Sequence, residues 1–216
     1  IVPVQAHRLG RAVENLLADA GLDRLNHNLN TSESHYAEIC TTHTYQDRVQ
    51  TLVAAKKCGI QPCSGLIVGM GETEHDVLRL VQRIVDLGGH NHMFCFFPEQ
   101  GSLMDHLPAT PRDQWRRVQL GRYLIDYRGA RVDHMKFDGQ GRVVDFGLPG
   151  GELDDIIDSG LPFRTSGCPG KVAEDISACD RPYGDSPPSD IASYPFALEG
   201  KDVKKVRKQL GIPNRL

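Results

Sequence analysis

What this 216-residue sequence lacks narrows the field before any motif is read. No apolar run approaches the roughly 20 residues that cross a bilayer, so no membrane partner is expected. Residues Ile1 to Leu16 have no charged start leading into an apolar stretch, unlike a secretory leader, and a cytoplasmic setting is expected. There is no basic excess: 25 Lys and Arg stand against 28 Asp and Glu, a net charge of −3. Phosphate-tracking proteins need a concentrated positive face, so nucleic acid is not an expected partner. Six cysteines in a chain this long are too sparse for a disulfide framework, and reduced thiols, some of them metal ligands, are the better reading. The opening Ile1-Val2-Pro3-Val4 has no initiator Met, which fits an excerpt or a processed chain.

The rest is ordinary globular material, 39% hydrophobic and 25% charged, enough for one sizeable core and a small appendage. Apolar periodicity predicts helices over 6–20, 44–57, 74–87 and 111–127, and a basic helix over 201–210. The clearest is 74–87, with Val77, Leu80, Val81, Ile84 and Val85 on one stripe. Strands are predicted over 24–29, 61–68, 92–97, 130–137 and 142–146. Alternation of strand and helix argues for parallel βα units: part of an α/β barrel, or a doubly wound open sheet. Residues 160–198 are rich in proline and lack periodicity, and such long irregular segments are functional or disordered. The expected division is therefore 1–150 as the βα body and 151–216 as an irregular Cys/Pro-rich extension with a terminal helix.

Two segments carry chemistry in the body. Asn26, Asn28 and Asn30, with Thr31 and Ser32, end a strand; they could bond a polar ligand or simply cap a turn. In Cys63-Ser64-Gly65-Leu66-Ile67-Val68-Gly69-Met70-Gly71-Glu72-Thr73, Gly65, Gly69 and Gly71 allow close approach to the backbone ahead of a helix N-terminus. The spacing of these glycines is not that of a dinucleotide fingerprint. A buried Cys63 most often serves as a small hydrophobe.

Asn-His-Asn-Leu-x-Thr-Ser, then Thr44-Tyr45-x-x-Arg48, then Cys-Ser-Gly-x-Ile-Val-Gly-x-Gly-Glu-Thr, in this order, resembles the biotin-synthase-like radical S-adenosylmethionine (SAM) family. The likeness runs from Ala6 to Glu74 and more loosely to Phe146. It implies the C-terminal portion of a partial TIM-type radical SAM barrel, with SAM and a [4Fe-4S] cluster as cofactors. Asn28 matches the residue that binds the SAM ribose hydroxyls, and Asn26, Asn30 and Glu72 join the expected cofactor-binding set. Gly65, Ile67 and Gly69 correspond to the strand that lies against the adenine. Cys63 matches a ligand of an auxiliary iron–sulfur cluster, or is a relic of one, and Arg131 lies near the family's arginine ligand. The Cys-x-x-x-Cys-x-x-Cys motif that holds the SAM-cleaving cluster is not in these residues and is expected upstream of Ile1. The family's dethiobiotin-contacting Asn is also missing from Met93-Phe94-Cys95-Phe96-Phe97, which argues against that substrate.

In the extension, Cys168 and Cys179 are flanked by Gly and Pro, with Arg181 near Cys179, and suggest a thiolate pair for iron–sulfur or zinc. This tail resembles that of two-component lipoyl synthases. The implied main function is sulfur insertion into an octanoyl chain, with a second radical SAM subunit, a lipoyl-carrier protein and an electron donor as partners. The alternatives are another biotin-synthase-like reaction (biotin synthase itself, or hydrogenase cofactor maturation) and a non-catalytic SAM- or zinc-binding module.

Overall fold

The computed structural model describes residues 11–165 and 190–211, so Cys168 and Cys179 lie outside the described residues. In chain order the elements are α1 (Arg11–Asp19), β1 (Arg24–Asn26), α2 (Tyr36–Ile39), α3 (Tyr45–Lys57), β2 (Gln61–Val68), α4 (Glu74–Asp86) and β3 (His90–Cys95). Then come α5 (Arg112–Arg128), β4 (Lys136–Phe137), β5 (Val143–Asp145), α6 (Gly150–Asp158) and α7 (Gly200–Leu210). The result is a mixed α/β protein built on a parallel three-stranded sheet ordered β1-β2-β3.

Local chemistry explains where the elements begin. Thr44 and Thr73 open α3 and α4 with capping boxes: each hydroxyl accepts the amide three residues on, and Asp47 or Asp76 reaches back to the threonine amide. Both helices thus satisfy orphan donors from within and start at the predicted places. Gly59 and Gly88, at φ of 79° and 71°, turn the chain from helix into the next strand. The apolar stripe of α4 is buried as the periodicity predicts, and β2 occupies the predicted residues.

The sheet has two unlike faces. Leu66, Val68, Met93 and Cys95 belong to the main core with Leu52, Val77, Leu78, Val81 and Ile84. On this side Asn91 donates to Val81 O and to Asp126 of α5. Cys63, Gly65 and Ile67 point the other way, in register with His90, His92 and Phe94.

Two expected strands are corrected, and two short helices were not foreseen. Residues 130–137 form a 3-10 turn (Val132–His134) and only a two-residue strand, which pairs antiparallel with β5 in a separate sheet. The βα alternation therefore stops after α5. The third strand begins at His90, two residues earlier than predicted, and ends at Cys95. The short helices α2 and α6 carry no strong sequence signal; α6 opens on two glycines and is held by the burial of Ile156 and Ile157.

The described residues beyond 150 share the core of the body. Trp115 Nε1 and Arg116 Nη1 both donate to Ala192 O, and Arg116 Nε donates to Gln209 Oε1. Arg116 is 1% exposed and lies over the rings of Phe163 and Tyr194. Arg207 of α7 pairs with Asp154 and Asp158 of α6. No helix among the described residues is long and apolar enough to cross a membrane.

One buried charge ties the β4–β5 hairpin to this frame. Glu74 accepts two bonds from Arg117, at 2.7 and 2.9 Å on Oε1, while its Oε2 accepts the Val143 amide at 2.8 Å. Removing the carboxylate strands a guanidinium and an amide, each costly when buried. Glu74→Ala is expected to cost about 3 kcal/mol in urea unfolding and to raise hydrogen exchange at Val143. Loss of under 1 kcal/mol would show that the pair contributes little.

Candidate functional site

The chain ends β1 at Asn26 yet stays attached to β2 for four more residues. His27 N donates to Cys63 O at 2.8 Å, Asn30 N to Gly65 O at 3.0 Å, and Ile67 N to Asn30 O at 2.7 Å. Leu29 N donates to Ser64 Oγ at 2.9 Å. Asn30 adopts φ of 64°, a left-handed conformation that asparagine tolerates better than most residues. This turn carries the carboxamide rim along the strand edge.

Asn28 and Gly65 meet directly: Gly65 N donates to Asn28 Oδ1 at 2.7 Å. A Cβ at Gly65 would lie 2.9 Å from that oxygen and 3.1 Å from Phe94 Cε2. The glycine is needed because two side chains of this protein already crowd it. The same holds at Gly69, where a Cβ would collide with Thr110 Oγ1, and at Gly71, where it would meet His35 Cε1 at 2.8 Å. Thr110 in turn donates to Val68 O at 2.6 Å.

Glu72 is 6% exposed, and its carboxylate accepts the amides of Gly69 at 2.6 Å and Met70 at 3.2 Å. It shapes the loop after β2 from within. His35 Nε2 lies 2.9 Å from Met70 O and braces the same loop from the α2 side. Asn26 is exposed and stands in register with Cys63, and Ile67 is half-buried beside Phe94.

Cys63, fully buried, places its sulfur 2.8 Å from His92 Nε2. His90 packs edge-on against His92 with ring centroids 5.2 Å apart. The register that brings His92 to a cysteine 29 residues away leaves no local signal in the sequence. Arg131 is engaged elsewhere, with Asp86 at 3.1 Å. Among the described residues no group of three or more His, Cys, Asp or Glu could hold a metal ion.

Behind the rim, His27 is 8% exposed, and burial, then the Arg48 charge, then His43 lower its pKa from 6.5 to about 4. It is therefore a neutral imidazole packed beside a cation. Arg48 Nε donates to His43 Nε2 at 2.7 Å.

Residues 8–84 match the model of the Radical SAM superfamily. The chain is 58% identical over 128 residues to a biotin synthase of Acaryochloris marina, covering 56% of this chain and 37% of that relative. It is 58% identical over 127 residues to one of Kocuria rhizophila, covering 56% and 27%. A third, from Lysinibacillus sphaericus, is 56% identical over 134 residues, covering 61% and 40%. The chain thus spans well under half the length of these curated relatives. The matches support a biotin-synthase-like radical SAM chain, and that family implies SAM and a [4Fe-4S] cluster as cofactors.

They also correct the expected main function. Lipoyl-type sulfur insertion is overturned by relatives at 51% to 58% identity that bear the name biotin synthase. The lipoyl reading leaned on Cys168 and Cys179, outside the described residues, and on one missing amide near Phe94; identity across more than half the chain outweighs both.

The depressed His27 pKa makes stability depend on pH. Above pH 6.5 the imidazole is neutral folded and unfolded, so nothing changes. Between about 6.5 and 4 the unfolded chain takes up a proton that the folded chain refuses, and stability falls. After allowance for solvent screening, the loss is about 2 kcal/mol. Urea titrations of wild type and His27→Gln at pH 7 and pH 4.5 are expected to show this extra loss in wild type alone. Parallel pH profiles would refute the assignment.

Proposed function

We propose that this chain forms the nucleoside-binding side of a radical SAM enzyme of the biotin synthase type, with β1–β3 as part of a larger barrel. The observation that carries the reading is the 2.7 Å bond from Gly65 N to Asn28 Oδ1, which joins two motifs 37 residues apart at one sheet edge. Active sites of parallel α/β proteins lie at the C-terminal ends of the strands, where these residues sit.

The residues present suit a nucleoside. Asn28 is half-buried and, with its oxygen committed, offers amide N–H donors for sugar hydroxyls. Ile67 and Phe94, adjacent in register, form an apolar wall suited to a base. Glu72 and His35 hold the loop after β2 in one shape, which reduces what must be ordered on binding. The described cysteines do not assemble a [4Fe-4S] site, so that cluster belongs to residues beyond those described.

When bound, SAM and the reduced cluster supply the one-electron chemistry that opens an unactivated C–H bond. This chain's share is to orient the nucleoside and keep water from the apolar wall. No acid–base pair is required of it. The buried Cys63 with His92 is the local candidate for a sulfur-bearing or metal-bound partner in carbon–sulfur bond formation, and a low-potential electron donor is the expected protein partner.

The test is product analysis on the whole protein, cluster-reconstituted and reduced with dithionite, given SAM and dethiobiotin. Both 5′-deoxyadenosine and biotin are expected. Absence of 5′-deoxyadenosine would refute radical SAM chemistry; 5′-deoxyadenosine without biotin would refute the biotin-type substrate.

A further inference from the structure

We propose that Cys40 is a modification site, a nucleophilic cysteine that captures a small anionic disulfide of the glutathione type as a mixed disulfide. The proposal stands apart from the SAM reading, since neither the carboxamide rim nor β2 supplies any of its groups.

The hydrogen bonds around the sulfur can run in one direction only. Arg48 Nε can only donate, and it donates to His43 Nε2 at 2.7 Å. The ring proton of His43 therefore sits on Nδ1, which donates to Thr42 Oγ1 at 2.8 Å. With its oxygen accepting, the Thr42 hydroxyl turns its own hydrogen toward Cys40 Sγ at 3.6 Å. The sulfur also lies 3.4 Å from both ring nitrogens of His43. A relay that ends in donors, with a guanidinium at its far end, favours the thiolate over the thiol. Burial raises the Cys40 pKa, but the hydroxyl and amide of Thr42 and the amide of His43 outweigh it and hold the thiol below its ordinary value.

A second observation points to an incoming group. The Tyr36 hydroxyl is buried without a hydrogen-bond partner, on a residue only 3% exposed, and it faces Arg48 and Cys40, which both act on its ionisation. Burial raises its pKa, so it remains a donor that an acceptor held at the sulfur would satisfy. Cys40 is partly exposed, whereas Cys63 and Cys95 are buried. Cys58 is partly exposed too, but it donates to Asn15 Oδ1 at 3.2 Å, which keeps its proton in place. Two accessible cysteines therefore differ in the chemistry of their neighbours. Arg48 supplies positive charge, and a disulfide that carries carboxylates suits it.

The step balances with the disulfide as its one co-reactant. Cys40 gives its proton to solvent, and its thiolate attacks one sulfur of the disulfide. A new S–S bond forms and the old one breaks; the leaving thiolate carries off the electron pair and takes up a proton. Cys40 is oxidised and one glutathione is reduced. The site lies behind the rim, where Arg48 and His43 both act on His27.

The test treats the whole, cluster-reconstituted protein with oxidised glutathione at about pH 7, without oxygen or SAM, and follows Cys40 and Cys58 by peptide mass spectrometry. Cys40 is expected to form the mixed disulfide roughly 3- to 10-fold faster than Cys58, because a larger thiolate fraction is partly offset by lower nucleophilicity. His43→Ala breaks the relay and should bring Cys40 down to the Cys58 rate. Thr42→Val, a milder change at an exposed residue, should do the same. An unchanged Cys58 rate in both variants reports that the fold is kept. A Cys40 lead of under about threefold in the wild type, or a lead that survives either substitution, would overturn the proposal.

Discussion

The arrangement depends on residues 27–30 remaining bonded to β2 after the strand proper has ended. Three backbone donors from this segment, one of them bound to a serine hydroxyl, and one backbone acceptor fix His27, Leu29 and Asn30 against Cys63 to Ile67. Without that attachment the carboxamides would be an ordinary surface turn. With it, Asn28 stands over Gly65 and the motifs become one surface. The left-handed Asn30 is the local cost of the path, since the chain must turn while still donating and accepting along the strand.

Much of the remaining polar framework serves this edge from behind. Neutral His27 sits under the rim beside Arg48, and Glu72 closes the β2 loop with a buried carboxylate. Glycine has a different role from the one composition suggests. Gly65, Gly69 and Gly71 look like openings for a ligand, but Asn28, Thr110 and His35 occupy the space beside them. Their smallness is used first to let the protein's own polar side chains reach the backbone.

How much of this was legible depended on range. Helices α3 and α4 could be placed because Thr44 with Asp47 and Thr73 with Asp76 are signals contained within one turn. Strand β2 lies between Gly59 and Gly69 and closes on the apolar run Leu66-Ile67-Val68, which marks it as a strand. The hairpin after α5 lies where strands over 130–137 and 142–146 are expected, but its first strand is only Lys136–Phe137 because Val132–His134 form a 3-10 turn. Within the site, Asn28 and Gly65 were identified through motif order. The partners of Cys63, Gly69 and Gly71 were not, because His92, Thr110 and His35 reach them from neighbouring strands and loops, at separations set by topology alone. The anchoring of residues 192–194 on Trp115 and Arg116 was invisible for the same reason.

Register also limits what one missing amide says about this face. Along β2 the outward residues change character every second position: Cys63 beside His92, Gly65 under Asn28, then Ile67 beside Phe94. At about 3.3 Å per residue this sequence of soft donors, amide and apolar wall spans roughly 13 Å, comparable to a nucleoside with its substituent. Each step along this surface offers a different chemistry. An amide missing from residues 93–97 leaves Cys63 with His92 and Asn28 over Gly65 where they are. A single position on β3 therefore carries little weight against 58% identity over 128 residues.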